Sequence, residues 1–316
     1  MSQPTQNHTI STELAGKRLD YAVRELFSLS WGQARKWIET GKISLDTVVV
    51  RDEAVLVTAG AQCVSHMNAP RVEKYIDPIP DWIVYEDNHV VVINKPANVS
   101  SVKFDSDDND GLEQMLNRHY AILSRNATHK QQKKVSVVHR IDRNTSGLIM
   151  FARSAVARES LKEQLFLHTT HRVYLAICHG KIATQTIESH ILDDRGDGLR
   201  GSSENGHDAR VRRITGGKKS TTHVEALREL NNATYVSCQL TTGRTHQIRI
   251  HLSEEGHPLV GERMYLRNFK SPLIEAGRQM LHAAELGFYH PVLKKELMFT
   301  QDLPKDMATM LEKLSL

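Results

Sequence analysis

The stretch VSVVHRIDRNTSGLIMFARS, residues 135–154, sets His139, Arg140 and Asp142 between two apolar runs. Charged groups at the lip of a buried sheet must be paired, or each loses solvation worth several kcal/mol, on the order of the penalty for a buried ion. Two kinds of chemistry suit the trio. It is either a structural ion pair or a carboxylate held ionised on a rigid platform for nucleophilic work. A cationic partner stands in GRTHQIRIHLSEEG, residues 243–256, where Thr245, Arg249 and Leu252 line one face of a predicted helix. An arginine in the first turns of such a helix is expected to fork onto the carboxylate with two hydrogen bonds.

To bring Asp142 to that lip, VSVVHRID is predicted to run as a strand. Val135, Val137, His139 and Ile141 then face one way, and Ser136, Val138, Arg140 and Asp142 the other. LIMFA behind it is apolar on both faces, as a central strand is. Upstream, DWIVYEDNHVVVINKPANVSSV gives two apolar runs, FDSDDNDG an acidic loop and LEQMLNRHYAILSR a helix. Downstream follow the helix AVARESLKEQLFL, the strand VYLAICHG, a long polar loop over 184–220, and the strands THVEALREL and TYVSCQLTTG. Strands and helices do not alternate regularly. The class is therefore α+β with a mixed or antiparallel sheet, not doubly wound.

A smaller α/β unit is expected ahead of this domain. Residues 1–14 read as a disordered polar tail, 15–68 as the unit, 69–80 as a proline-rich linker, and 81–316 as the large domain. In GKRLDYAVRELFSL, Leu19, Val23, Leu26 and Phe27 share one helical face, and SLSWGQARKWIETGK opens on the cap Ser30 and stops at Gly41. ISLDTVVV and EAVLVTAGAQC are predicted strands. Lys17, Arg18, Arg35 and Lys36 lie on or beside the helices.

Charge is uneven along the chain. Residues 81–124 hold three basic and eight acidic side chains, whereas 125–220 hold eighteen basic and nine acidic. An excess of nine positive charges around the opening motif suits a polyanion such as nucleic acid. Cys63, Cys178 and Cys238 are too scattered for a metal knuckle, and no run approaches the ~18 apolar residues of a membrane span. With no apolar leader, cytoplasm is the expected location. GDGLRG, residues 196–201, lacks the strand and helix that a dinucleotide fingerprint needs. HRID is not a kinase loop, because Ile141 separates Arg140 from Asp142 and Gly147 stands where an asparagine belongs. His168, His171, Cys178 and His179 read as surface and strand residues, not as a zinc set.

Three motifs carry a family resemblance. HRIDRNTSGLIMFARS resembles the HRLD…TSGLLLFA signature of the RluA-type pseudouridine synthases, and RVYLAICHG and TTGRTHQIRIHLSEEGHPLVGERMY match that family's next two motifs in order. YEDNHVVVINKPAN is similar to its opening strand, with Asn98 in place of the usual glycine and SSVKF in place of an apolar-His-Pro segment. Residues 16–63 resemble an S-four-like RNA-binding domain, with Asp46-Thr47 where that fold has Asn-Gly.

The resemblance implies an RNA pseudouridine synthase without metal or cofactor, acting as a monomer on ribosomal RNA, with transfer RNA the alternative substrate. A non-catalytic RNA-binding protein of the same fold is the rival reading. Asp142 is implied as nucleophile, Tyr174 as the ring that stacks on the target uracil, and Arg249 as the partner of Asp142. Arg140 is implied to fill the gap left by a flipped nucleotide. His139, Thr145, Arg244 and His246, with Lys17, Arg18, Arg35 and Lys36, are the expected RNA contacts.

Overall fold

A computed structural model describes residues 5–67, 80–103, 111–125, 134–195, 198–203, 217–267 and 269–315. Two compact units divide them, one within residues 5–67 and one from residue 80 onward. Nearly all of the expected linker and acidic loop lies outside the described residues.

In the first unit a four-stranded antiparallel sheet, order β1-β4-β2-β3, joins β1 (Gln6–Thr9), β2 (Ile43–Leu45), β3 (Val48–Val49) and β4 (Gln62–Ser65). Helices α1 (Leu19–Phe27) and α2 (Trp31–Glu39) bury Leu19, Val23, Ala34 and Ile38 in one cluster with Ile43 and Cys63. Ser30 caps α2 through a reciprocal box with Gln33. The polar-tail expectation fails at β1, which pairs with β4 from Gln6↔Ser65 to Thr9↔Gln62. Ile10, buried at the strand's end, supplies the apolar anchor that holds it. Of EAVLVTAGAQC, only the end from Gln62 joins the sheet. Asp46 and Thr47 both take left-handed φ, 46° and 74°, as a two-residue hairpin turn demands. The Asp46 carboxylate offsets part of that strain by accepting from the Gln62 amide.

The second unit is built on one mixed sheet, order β11-β10-β12-β13-β9-β14-β8-β6-β5, with β15 on β14 and β7 on β8. Its strands are β5 (Ile83–Glu86), β6 (Val90–Lys95), β7 (Ser136–Val137), β8 (Ser146–Ala152), β9 (His171–His179), β10 (Gln185–Leu192) and β11 (Gly201–Ser202). β12 (Lys218–Leu230), β13 (Ala233–Leu240), β14 (Leu281–His290) and β15 (Lys295–Thr300) complete it. Its α-helices are α3 (Leu112–Arg125), α4 (Ala155–Phe166), α5 (Gln247–Glu254) and α6 (Lys305–Ser315). Among the described pairings, β8 with β14 is parallel and the rest are antiparallel. The expected α+β class is observed.

β8 explains why LIMFA is apolar throughout. Ile149 and Phe151 pack on one face with Val91, Ile93, Leu112 and Leu116, while Leu148 and Met150 pack on the other with Val90, Val92 and Leu161. Each such side chain contributes about 1.5–3 kcal/mol on burial. This strand is the rigid floor beneath the charged motif.

Two expectations need correction. The strand predicted over VSVVHRID ends at Val137, because His139 turns back and its Nε2 accepts from the Met150 amide of β8. Asp142 therefore sits in the loop entering β8. The polar loop expected over 184–220 contains β10 and the start of β12; Ile187, Ser189 and Ile191 alternate inward while their polar neighbours face out. Residues 204–216 lie outside the described residues.

Candidate active site

Backbone carbonyls of the loop over 141–146 are tied down from several directions. The Ser101 hydroxyl donates to the Ile141 carbonyl at 2.7 Å and accepts from the Ile141 amide at 3.2 Å. Lys95 is fully buried, and its Nζ donates to the carbonyls of Pro96, Val99 and Arg143 at 2.9, 2.8 and 3.0 Å. Arg278 donates from Nη1 to the carbonyls of Asn144, Gln279 and Leu281, while Asp306 holds its Nε and Nη2. At the loop's exit, a Cβ on Gly147 would lie 2.2 Å from the Ala283 carbonyl oxygen, and its φ is +106°. Only glycine lets β8 begin there. Asn98, at φ +66°, tolerates the left-handed conformation for which glycine is usual, and its carbonyl accepts from Arg143 Nε.

Asp142 rises from this platform with 22 % of its side chain exposed. Its Oδ2 accepts from Arg249 Nη1 at 3.3 Å, and its Oδ1 lies 3.8 Å from His246 Nε2. Burial pushes the carboxyl upward, but His246, Arg249 and Lys95 outweigh it and hold Asp142 below the usual carboxylate range. Burial also pulls His246 down to about 4, so it is neutral at pH 7 and Arg249 carries the main positive charge facing Asp142. Lys95 itself is drawn by burial to about 7.

The expected two-bond fork from Arg249 to Asp142 is not what forms. Arg249 gives its fork to Glu262, Nε and Nη2 each at 2.8 Å, and reaches Asp142 with a single bond from Nη1. Glu262 has no exposed side-chain surface, so its charge demands the stronger pairing. One oxygen of Glu262 also accepts from the amides of Arg263 and Met264. With its oxygen turned toward the guanidinium, the Gln279 amide accepts from both Nη atoms. Arg249 is thus locked from behind and presents one donor to the partly open carboxylate. Helix α5 starts at Gln247, so Thr245 precedes it and does not share its face.

Tyr174, on β9, is buried in the cluster that holds Ile141 and Ile248. Burial raises its phenol, Arg172 lowers it and Asp142 raises it, for a net upward shift that keeps it protonated. His246 caps α5 at φ +59°, a left-handed position held by a 2.7 Å contact from its Nδ1 to the Tyr265 hydroxyl.

The remaining expected contacts divide. Arg140 is exposed and makes no ion pair with Asp142. Arg244 is half-buried, with Nε on the Lys219 carbonyl. His139 is held on β8 and pushed by burial to about 3, and Thr145 is buried at 2 % exposure. Thr145 is thus closed off inside the loop, while His139, partly exposed, is anchored by its bond to β8. In the first unit Lys17 and Lys36 are exposed, whereas Arg18 and Arg35 are drawn onto the buried Asp20, at 2.7 and 3.0 Å, with Glu53 behind.

Sequence reasoning missed Lys95, Ser101, Glu262, Tyr265 and Arg278. A lysine closing the strand VVVINK, apolar up to Asn94, was a usable signal, because a buried lysine needs several acceptors. Glu262 and Tyr265 lay inside the quoted GERMY run, but nothing in their spacing pointed at Arg249.

Residues 89–254 match the RNA pseudouridylate synthase family, a stretch that includes Asp142, Tyr174 and Arg249. This chain belongs to that family. It is 33 % identical to ribosomal large subunit pseudouridine synthase D of Zymomonas mobilis, over 98 % of both chains. It is 32 % identical to the Pseudomonas aeruginosa protein of that name, over 95 % of this chain and 92 % of the other. Human RNA pseudouridylate synthase domain containing 4 shares the fold, with a TM-score of 0.58 and 21 % identity over 74 % of this chain and 93 % of its own. The chain is an RNA pseudouridine synthase of the RluA type, as its motifs implied. No described helix is long and apolar enough to cross a membrane.

Proposed function

We propose that this enzyme converts uridines of large-subunit ribosomal RNA to pseudouridine, with Asp142 as the nucleophile. The observation that carries this is the asymmetric clamp: Arg249 is fixed by Glu262 and spends one donor on a carboxylate that remains partly open. An ionised Asp142 assists cleavage of the bond between ribose C1′ and uracil N1. The base turns, C5 bonds to C1′, and the proton on C5 leaves while N1 gains one. Atoms and electrons balance, so the reaction is an isomerisation.

Tyr174 supplies the ring on which the uracil stacks. Arg140, exposed beside the loop, occupies the space that the extruded nucleotide vacates. The first unit serves as the S-four-like RNA-binding domain, with Lys17 and Lys36 as its outward cations. The protein acts as a cytoplasmic monomer. The names of the relatives, "ribosomal large subunit pseudouridine synthase D", support the choice of RNA. Mapping pseudouridines in strains with and without the gene tests it. Loss confined to large-subunit ribosomal RNA is expected, and loss confined to transfer RNA would overturn the substrate assignment.

A further inference from the structure

Arg172 stands on β9 two residues before Tyr174, so the two side chains leave the same face of the strand. It keeps 6 % of its surface. The other arginines buried around the catalytic loop meet carboxylates, Arg249 with Glu262 and Arg278 with Asp306. Arg172 meets none among the described residues. Its Nη2 donates to the Thr241 carbonyl at 3.3 Å, and its Nε is buried without an acceptor. A guanidinium has five donors and a full charge, and a charge buried without an anion costs several kcal/mol.

The surroundings do not answer that charge. His139 and Tyr174, which both feel Arg172, are neutral at pH 7. Gly243 gives it room instead: a Cβ there would lie 2.5 Å from Nη1, and the glycine has no left-handed φ that would otherwise account for it. Two residues of strand span about 7 Å. That is the scale of one nucleotide, so a base held at Tyr174 brings its own backbone to the guanidinium. A planar fork matches two phosphate oxygens.

We infer that Arg172 binds a phosphodiester of the RNA strand beside the target uridine, supplying a site whose anion arrives with the substrate. The inference rests on the Asp142–Tyr174 reading of the active site. The test pairs protein variants with RNAs in which each phosphate flanking the target uridine is replaced, one at a time, by an uncharged methylphosphonate. At one linkage the replacement is expected to weaken wild-type binding and kcat/KM by about 50-fold, the worth of one charge-assisted contact. Arg172→Met should lose as much on unmodified RNA, lose nothing more at that linkage, and flatten the log–log salt slope of binding by about one. Arg172→Lys should recover part, and Gly243→Ala, which displaces Nη1, should imitate the loss. Removal of an unanswered buried charge should also leave the Tm of Arg172→Met unchanged or higher. Losses that multiply at every linkage, together with a lowered Tm, overturn the assignment in favour of a structural arginine. Because the pairing is also read in Kd, it stands or falls even on an RNA that is bound but not turned over. Wild-type turnover of the unmodified RNA tests the nucleophile reading separately.

Discussion

Glu262→Gln probes the clamp more cleanly than any change to Arg249 itself. The amide keeps an oxygen for the Arg263 and Met264 amides, at 3.0 and 2.9 Å, and for Arg249 Nη2 at 2.8 Å. The other oxygen, which accepts from Arg249 Nε at 2.8 Å, becomes an NH2 group facing an N–H. One charge-assisted bond worth about 1.5–3 kcal/mol is lost. The arginine, with 4 % of its side chain exposed, keeps its charge. Breaking a buried pair costs about 3–5 kcal/mol. Asp142, at 3.3 Å, takes up part of the orphaned charge, so the lower end applies, about 3 kcal/mol. That is less than the ~5–15 kcal/mol stability of a typical domain, so the variant folds and can be assayed.

Urea unfolding gives the stability, and tritium release from C5-labelled uridine gives the rate. With its rear anchor gone, the guanidinium moves toward Asp142, and the rate per folded molecule is expected to fall about 10- to 100-fold. The double variant Arg249→Met/Glu262→Gln removes the stranded charge, so stability should recover by about 2 kcal/mol while activity does not. A Glu262→Gln protein as stable as wild type refutes the reasoning. So does a double variant that regains turnover.

Asp142→Asn should abolish tritium release yet unfold within about 1 kcal/mol of wild type, because Arg249 keeps Glu262; turnover near the wild-type rate would reject the nucleophile. Arg140→Ala should barely move the Tm, since this exposed side chain makes no ion pair among the described residues, yet slow turnover on a stacked target uridine far more than on one in an open loop. Equal losses on both RNAs would rule out the gap-filling role. His139, His246 and His282 are held by burial to about 3, 4 and 4, whereas the unfolded chain protonates them near 6.5. The unfolded state then binds more protons, so their stabilisation is complete above pH 6.5 and lost as the pH falls toward 4. Calorimetry near pH 5 should register an uptake of about three protons from these groups on unfolding; a Tm constant from pH 6.5 to 4.5 would contradict their burial as neutral rings.

What could be read in the chain was local. The cap Ser30, the run LIMFA and the periodicity of Leu19 and Val23 each state their structure within a few residues, and each forms as stated. The strand expected through Asp142 did not form because His139 gave its ring to the β8 backbone, and alternation cannot register such a bond. The clamp was half legible. Arg249 reaches Asp142 across 107 positions, and Arg278 reaches the Asn144 carbonyl across 134. Interactions at that separation leave no period to detect, so Arg278 was invisible, and Glu262, 13 positions from Arg249, lies past the end of α5 where helical spacing no longer pairs residues.

Three exceptions to the rules that local reasoning trusts lie around the catalytic loop. A lysine lies fully buried at Lys95, a histidine takes left-handed φ at His246, and an arginine is buried without an anion among the described residues at Arg172. Each costs stability by itself. Lys95 acts electrostatically on Asp142, His246 stands 3.8 Å from it, and Arg172 acts on Tyr174, so all three bear on the groups proposed for the chemistry. That these three bear on one carboxylate and one phenol agrees with the proposal that Asp142 and Tyr174 carry the chemistry.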